Sequence, residues 1–195
     1  QRAITVAAAM ATLDAVPHLD TVAHFADLGG GAGNIAMALA ERWPQAQGEI
    51  VELTEPAEVA RQHIADAGLS DRLRARTGKL AEGAPARGYD LIWCSSVLHF
   101  VPDLDACLAD IYRALAPGGV FVSAHAEWPE ATVSAQSHRV MSYYLPLRLR
   151  DCYVSGPGEL LNRLKVAGFR HVSHWEVGSF PVAPLQVHAA RKADR

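Results

Sequence analysis

The chain contains 195 residues, of which half are hydrophobic and 20% are charged, as is ordinary for a globular protein. This length predicts a single domain with a sizeable buried core. The net charge of −3 argues against a nucleic-acid partner, and no apolar run approaches the roughly 18 residues that span a membrane.

The cysteines and the N-terminal residues indicate the cellular environment of the protein. The chain has three widely spaced cysteines, Cys94, Cys107 and Cys152, and this odd number predicts reduced thiols in a cytoplasmic protein. Their spacing does not match that of zinc ligands. Apolar residues near the start predict a helix over Ile4–Ala15, with a signal peptide as the alternative. Because residue 1 is Gln, we expect the natural chain to begin further upstream.

The segment Phe25–Asn34 organises the rest of the chain. A buried strand is predicted over Val22–Leu28, four glycines follow within residues 29–33, and apolar residues then recur at helical spacing over Asn34–Arg42. Such a bend leaves backbone N–H groups at a helix N-terminus with no side chain to block a ligand. The sequence therefore predicts a site for a nucleotide-like cofactor.

Two classes of cofactor fit this bend. Residues 31–36, Gly-Ala-Gly-Asn-Ile-Ala, match the dinucleotide fingerprint G-x-G-x-x-A. An acid two residues before the first glycine instead suits a cationic ligand, such as the amino group of S-adenosylmethionine, and would repel a pyrophosphate. We favour the second class. The bend residues expected to bind the cofactor are Asp27, Gly29, Gly30, Gly31 and Gly33.

Strand and helix patterns alternate after the bend, which is typical of a parallel α/β sheet. In chain order they are a strand over Gly48–Leu53, a helix over Pro56–Ala67, an edge strand over Asp71–Thr77, a central strand over Tyr89–Cys94, a helix over Leu104–Leu115, a turn over Leu115–Gly119 and a strand over Val120–Ala124. Glu52 ends the second strand, at the interval from the bend where a carboxylate reaches a ribose diol. We expect Glu52 and the adjoining Leu53 to contact the cofactor.

The last third of the chain departs from this alternation. Residues 125–155 are rich in aromatic and apolar side chains, and a connection of this length is usually functional. We interpret it as an acceptor-binding cap on a small-molecule site, for an apolar or aromatic acceptor. A helix is predicted over Glu159–Ala167, and Val172–Val177 with Leu185–Ala190 are predicted to close the sheet as an antiparallel pair.

The motifs at residues 27–33 (D-L-G-G-G-A-G) and 115–119 (L-A-P-G-G) resemble those of class I S-adenosylmethionine-dependent methyltransferases. The triple glycine is most similar to the O-methyltransferase branch of the caffeate and hydroxyindole type. The resemblance implies a Rossmann-like α/β fold. Its sheet has seven mostly parallel strands with an antiparallel last strand, and helices cover both faces. The resemblance covers nearly all of residues 1–195 as one domain. It does not include the N-terminal dimerisation domain of two-domain members of the family. A homodimer or a missing N-terminal domain is therefore an open expectation.

The resemblance also implies roles for residues beyond the bend. In that family Gly-Asp usually faces the adenine after the third strand, whereas this chain has Lys79, whose side chain cannot accept the adenine hydrogen bond. The backbone of Lys79 and Leu80 could still contact the base, and we expect Ser95 at the cofactor crevice. His99 follows the same strand as the family's general-base histidine, although its neighbours differ.

His99 has two possible roles, as a general base or as a packing residue, and the sequence does not distinguish between them. The family's orienting acid is missing near Cys152, so Glu127 and Asp151 are the nearest replacements. A metal site made of His99, His125 and His138 is conceivable, but no i, i+4 pair supports it, and we expect no metal.

Three functions are therefore weighed. The first is a small-molecule O-methyltransferase that uses S-adenosylmethionine. The second is an NAD(P) reductase, which lacks a Tyr-x-x-x-Lys pair. The third is a non-catalytic methyltransferase-like module or a fragment of a larger enzyme.

Overall fold

A computed structural model describes residues 2–80, 88–128, 142–143, 152–181 and 184–194. The helices are α1 (Arg2–Asp14), α2 (Asn34–Arg42), α3 (Thr54–Asp66), α4 (Leu104–Ala114) and α5 (Glu159–Val166), with a short 3₁₀ turn at Leu98–Phe100. The strands are β1 (His24–Leu28), β2 (Gln47–Glu52), β3 (Leu73–Thr77), β4 (Tyr89–Ser95), β5 (Leu115–His125), β6 (His171–Val177) and β7 (Leu185–Arg191).

The described residues form one seven-stranded sheet in the order β3-β2-β1-β4-β5-β7-β6. Strands β1 to β5 pair in parallel, whereas β7 runs antiparallel to both β5 and β6. This confirms the predicted mostly parallel sheet with an antiparallel ending. The strand order reverses between β1 and β4, and ligands bind at the carboxyl ends of strands at such a switch point.

Apolar side chains cover both faces of the sheet, as a sheet flanked by helices on both faces requires. On one face Phe25 and Trp93 pack with residues of α1, α2 and α3. On the other, Phe121 packs with residues of α4 and α5, including Leu108 and Leu164. The three cysteines are free thiols, as expected.

Strand β5 begins earlier than the sequence predicts. Residues 115–119 were expected to form a turn, but they continue the strand with an irregular register against β4. A side chain at Gly119 would place its Cβ 2.6 Å from the carbonyl oxygen of Tyr89, and Gly118 has a φ of +75°. The two glycines therefore allow a bulged, close-packed strand where a turn was predicted.

Part of the predicted acceptor-binding cap is not among the described residues. Most of the proposed cap, residues 129–141 and 144–151, lies outside the described residues, as do His138 and Asp151. Within the described ranges, no helix combines the length and apolar character needed to cross a membrane.

The packing of β2 on β1 makes a direct prediction about stability. A Cβ on Gly48 would lie 2.2 Å from Cζ of Phe25 and 2.7 Å from Cδ1 of Leu73, both buried. Gly48→Ala should therefore lower the free energy of unfolding by about 1–3 kcal/mol in urea denaturation. Gly178→Ala is the control, because nothing lies within 4 Å of a Cβ there. Equal stability of the two variants would contradict this packing.

Candidate functional site

A cleft of about 500 Å³ opens at the carboxyl ends of β1, β2 and β4. Its described lining residues are Gly29, Val51, Glu52, Leu53, Gly78, Lys79, Leu80, Ser96, Val97, Phe100, Val101 and Pro102. Five residues predicted from the sequence to bind the cofactor are among them, and they come from three separate loops. The cleft is therefore the candidate site.

The glycine bend between β1 and α2 is shaped by close contacts that exclude side chains. A Cβ on Gly29 would lie 2.7 Å from Cγ2 of Val97, and Gly29 has a φ of +69°. A Cβ on Gly30 would lie 2.6 Å from Oδ2 of Asp27. At Gly31 nothing lies within 4 Å, so this part of the bend is open, and Gly33 caps α2 with a φ of +84°. The bend thus presents backbone at a helix N-terminus.

Asp27 lies beneath the bend rather than on the cleft wall. Its side chain is buried, it accepts a hydrogen bond from the backbone N–H of Ala36, and its Oδ2 has no hydrogen-bond partner among the described residues. Burial, together with the nearby charge of Glu52, raises the pKa of Asp27 to about 7. The sequence led us to expect direct contact with a cationic ligand, whereas the carboxyl group faces the underside of Gly30.

Glu52 connects β2 to the bend. Its Oε2 accepts a hydrogen bond from the N–H of Gly31 at 3.2 Å, and its Oε1 accepts one from the N–H of Leu53 at 2.7 Å. The carboxylate therefore lies at the open part of the bend, and its contact with a ribose stays a prediction. Lys79 and Leu80 line the same cleft from beyond β3.

The end of β4 contributes residues that the sequence analysis did not name. Ser96, rather than Ser95, lines the cleft, and it has a φ of +55°, a backbone conformation that is uncommon outside glycine. Its N–H donates to the carbonyl of Ala124 at 3.0 Å. Val97 and Phe100 also line the cleft. In the sequence, only the two consecutive serines at the end of β4 indicate this change in backbone direction.

His99 is enclosed in the structure. It is 7% exposed and is not among the residues that line the cleft, although Phe100 is. Its Nδ1 lies 3.0 Å from the carbonyl oxygen of Tyr153. A carbonyl can only accept, so Nδ1 donates the proton, and the neutral ring keeps its lone pair on Nε2. Burial lowers the pKa of His99. A backbone carbonyl, not Glu127, therefore orients this ring.

His125 holds the loop that carries His99. Its Nε2 accepts hydrogen bonds from the N–H groups of Val97 and Leu98, at 3.1 and 3.0 Å, and its ring packs edge-on against His99 with 5.3 Å between centroids. Burial holds the pKa of His125 well below its usual range, so the ring is neutral. Since Nε2 is occupied by two donors, His125 contributes to loop structure rather than to a metal site with His99.

Comparison with known proteins identifies the domain. Residues 26–121 match the family model described as a methyltransferase domain. The chain carries a class I methyltransferase domain. The methyl donor of this class is S-adenosylmethionine. The bend fits that donor, because Cβ atoms at Gly29 and Gly30 would collide with the protein and Gly31 leaves open backbone beside a carboxylate.

Relatives of the methyltransferase domain differ in their reactions. The chain is 43% identical over 100 residues to aclacinomycin 10-hydroxylase RdmB of Streptomyces purpurascens, covering 50% of this chain and 26% of that protein. It is 37% identical over 102 residues to trans-aconitate 2-methyltransferase of Azoarcus sp., covering 52% and 38%. The chain thus spans less than half the length of these relatives.

Solved structures share the fold of this methyltransferase domain. The S-adenosylmethionine-dependent methyltransferase SibL is 24% identical with a TM-score of 0.76, over 93% of this chain and 53% of that one. Mitomycin 7-O-methyltransferase MmcR is 22% identical with a TM-score of 0.73, over 97% and 54%. At these identities the likeness is one of fold.

The buried carboxyl group of Asp27 should make stability depend on pH. Its pKa is 3.8 when solvated and about 7 in the fold, so between these values the folded state binds a proton that the unfolded state has released. Stability should fall as pH rises through this window, by at most about 1.4 kcal/mol per pH unit from this group. Asp27→Asn should show a shallower fall in urea unfolding at a series of pH values.

The control for this prediction is Asp71→Asn, since Asp71 is exposed. That variant should keep the wild-type dependence on pH. An Asp27→Asn slope indistinguishable from the wild type would mean that Asp27 is ionised in the folded protein.

Proposed function

We propose that this methyltransferase domain transfers a methyl group from S-adenosylmethionine to a small-molecule acceptor, and that the acceptor atom is a hydroxyl oxygen. The observation that carries the proposal is the Glu52 carboxylate at the open part of the glycine bend, on the wall of the cleft. S-adenosylmethionine supplies an activated methyl group, so the protein's task is to align donor and acceptor and to remove the acceptor's proton.

Under this proposal the predicted binding residues contact different parts of the methyl donor. Glu52 accepts hydrogen bonds from the ribose hydroxyls, and the backbone at Lys79 and Leu80 lies along the adenine. The bend from Gly29 to Gly33 approaches the methionine portion of the donor. Asp27 supports the bend from below and leaves direct contact with the ligand to the backbone, since its carboxyl group packs under Gly30. Ser96 takes the place that the sequence analysis gave to Ser95.

His99 is the proposed base for the acceptor hydroxyl, and because it is enclosed and does not line the cleft, the acceptor must enter beside Phe100 to reach it. The hydrogen bond from its Nδ1 to the Tyr153 carbonyl leaves Nε2 as the proton-accepting nitrogen. Burial lowers its pKa, so the ring is neutral and able to accept a proton near neutral pH. The hydroxyl preference is supported by relatives and structures named O-methyltransferases, including one for 2,7-dihydroxy-5-methyl-1-naphthoate and MmcR.

A second candidate function is hydroxylation, which needs dioxygen and a two-electron reductant as co-reactants. It is favoured by one observation, the 43% identity over 100 residues to a protein named aclacinomycin 10-hydroxylase. A shared fold does not fix the reaction, so the product must be identified rather than inferred. A methylated product gains a methylene unit in mass, whereas a hydroxylated product gains one oxygen atom.

The ribose role of Glu52 is tested by calorimetry with S-adenosylhomocysteine. Glu52→Gln should bind about 10- to 100-fold more weakly than the wild type, because a hydrogen bond to a charged group is worth about 1.5–3 kcal/mol. Glu41→Gln, an exposed glutamate at the end of α2, should bind as the wild type does. No binding by the wild type would remove the proposed function, and unchanged binding by Glu52→Gln would remove the role of Glu52.

The base role of His99 is tested by methyl transfer to 2,7-dihydroxy-5-methyl-1-naphthoate, the hydroxylated acceptor named for one relative. His99→Gln should lower kcat by about 10²–10⁴-fold while affinity for S-adenosylhomocysteine stays the same. His24→Gln, on the exposed start of β1, is the matched control. Mass spectrometry identifies the product. A kcat for His99→Gln within a few fold of the wild type would leave His99 a packing residue.

A further inference from the structure

A cluster of two histidines and a glutamate lies where β5, β6 and β7 meet, apart from the glycine bend. One ligand atom from each of Glu127, His174 and His188 lies within 4.8 Å of the others. His174 and His188 are directly opposed in the β6–β7 ladder, so both side chains project from the same face of the sheet. Glu127 follows the end of β5, which pairs with β7. Three strands thus bring three metal-ligating residue types together.

The buried members of this cluster lack hydrogen-bond partners. His188 and Glu127 are 0% and 3% exposed. Neither ring nitrogen of His188 nor Oε1 of Glu127 has a partner among the described residues, although such groups are normally satisfied. Nε2 of His188 lies 3.7 Å from Oε1 of Glu127, which is too long for a hydrogen bond. Two donor atoms on a tetrahedral zinc ion lie about 3.4 Å apart, so this separation suits a shared ion.

The third member, His174, stacks on His188 with ring centroids 4.6 Å apart and an interplanar angle of 21°, so the exposed His174 ring must turn for both rings to share one ion. Nε2 of His174 lies 2.8 Å from Oε1 of Gln186, and the amide of Gln186 donates to Oε2 of Glu176 at 2.9 Å. The amide oxygen can only accept, so Nε2 of His174 carries the proton and Nδ1 keeps the lone pair. Hydrogen bonding of the other ring nitrogen to a carbonyl group is the usual support for a metal-bound histidine.

We propose that Glu127, His174 and His188 bind a divalent transition metal ion, with zinc as the best match to two imidazoles and one carboxylate. His174 lies exposed on β6, the edge strand, which gives the ion a route from solvent. The bound ion ties the end of β5 to both closing strands. The site does not depend on the methyl donor or on the proposed function.

The test is a titration of the chelator-treated protein with zinc against a chromophoric competitor. The wild type should bind one equivalent tightly, and His174→Ala should bind at least about tenfold more weakly. His174 is exposed, so the variant is expected to fold. His171→Ala is the matched control, because His171 is an exposed histidine on the same strand. It should bind zinc as the wild type does.

A second measurement separates this site from zinc bound by other histidines. Zinc should raise Tm of the wild type and of His171→Ala, and should leave Tm of His174→Ala nearly unchanged. Gln186→Leu should weaken binding by about 10- to 100-fold if the amide orients His174. Absence of zinc binding by the wild type at micromolar concentration would overturn the proposal. Equal affinity of His174→Ala and the wild type would also overturn it, because the zinc would then be bound elsewhere.

Discussion

The site depends on one buried carboxyl group packed under a stretch of backbone. Asp27 ends β1, accepts a hydrogen bond from the N–H of Ala36 in the first turn of α2, and touches the underside of Gly30. These contacts fix the path of the chain from strand to helix. The bend passes so close to Asp27 and Val97 that side chains are excluded at Gly30 and Gly29, whereas Gly31 is open. The open part of the bend is therefore glycine backbone beside the Glu52 carboxylate.

The remaining parts of the site are loops that converge on this bend. Glu52 reaches it from β2 through the hydrogen bond to Gly31, and the β4 loop reaches it through the contact of Val97 with Gly29. His125 holds that loop by accepting two of its N–H groups. The strand order explains the convergence, since β1 lies between β2 and β4 and the carboxyl ends of parallel strands share one edge.

Local signals in the sequence were sufficient for the fold and for the bend. Glycines that follow an acid-ended apolar strand have few alternatives, and the interval to Glu52 follows from one βαβ unit. The direction of the Asp27 side chain was not predictable, because it depends on how closely the bend packs. The start of β5 was mispredicted because Pro-Gly-Gly is a turn signal, yet the glycines there allow close approach to β4.

The histidines show a second limit of sequence reasoning. His174 and His188 meet only because β6 and β7 pair in one register, and a shift by one residue would turn one ring to the opposite face. Metal ligands are recognised in a sequence when they lie a few residues apart. Residues that become neighbours through antiparallel strand pairing lie further apart in the sequence and are missed. His125 was likewise considered as a ligand, whereas its Nε2 is engaged by the backbone of the β4 loop.

The contact between Gly29 and Val97 has a consequence for how such a domain diversifies. A Cβ at Gly29 would lie 2.7 Å from Cγ2 of Val97, so a larger residue at position 29 requires the loop after β4 to move. A bend that tolerates so little change at this position constrains substitution there far more than at Gly31, where the space is open.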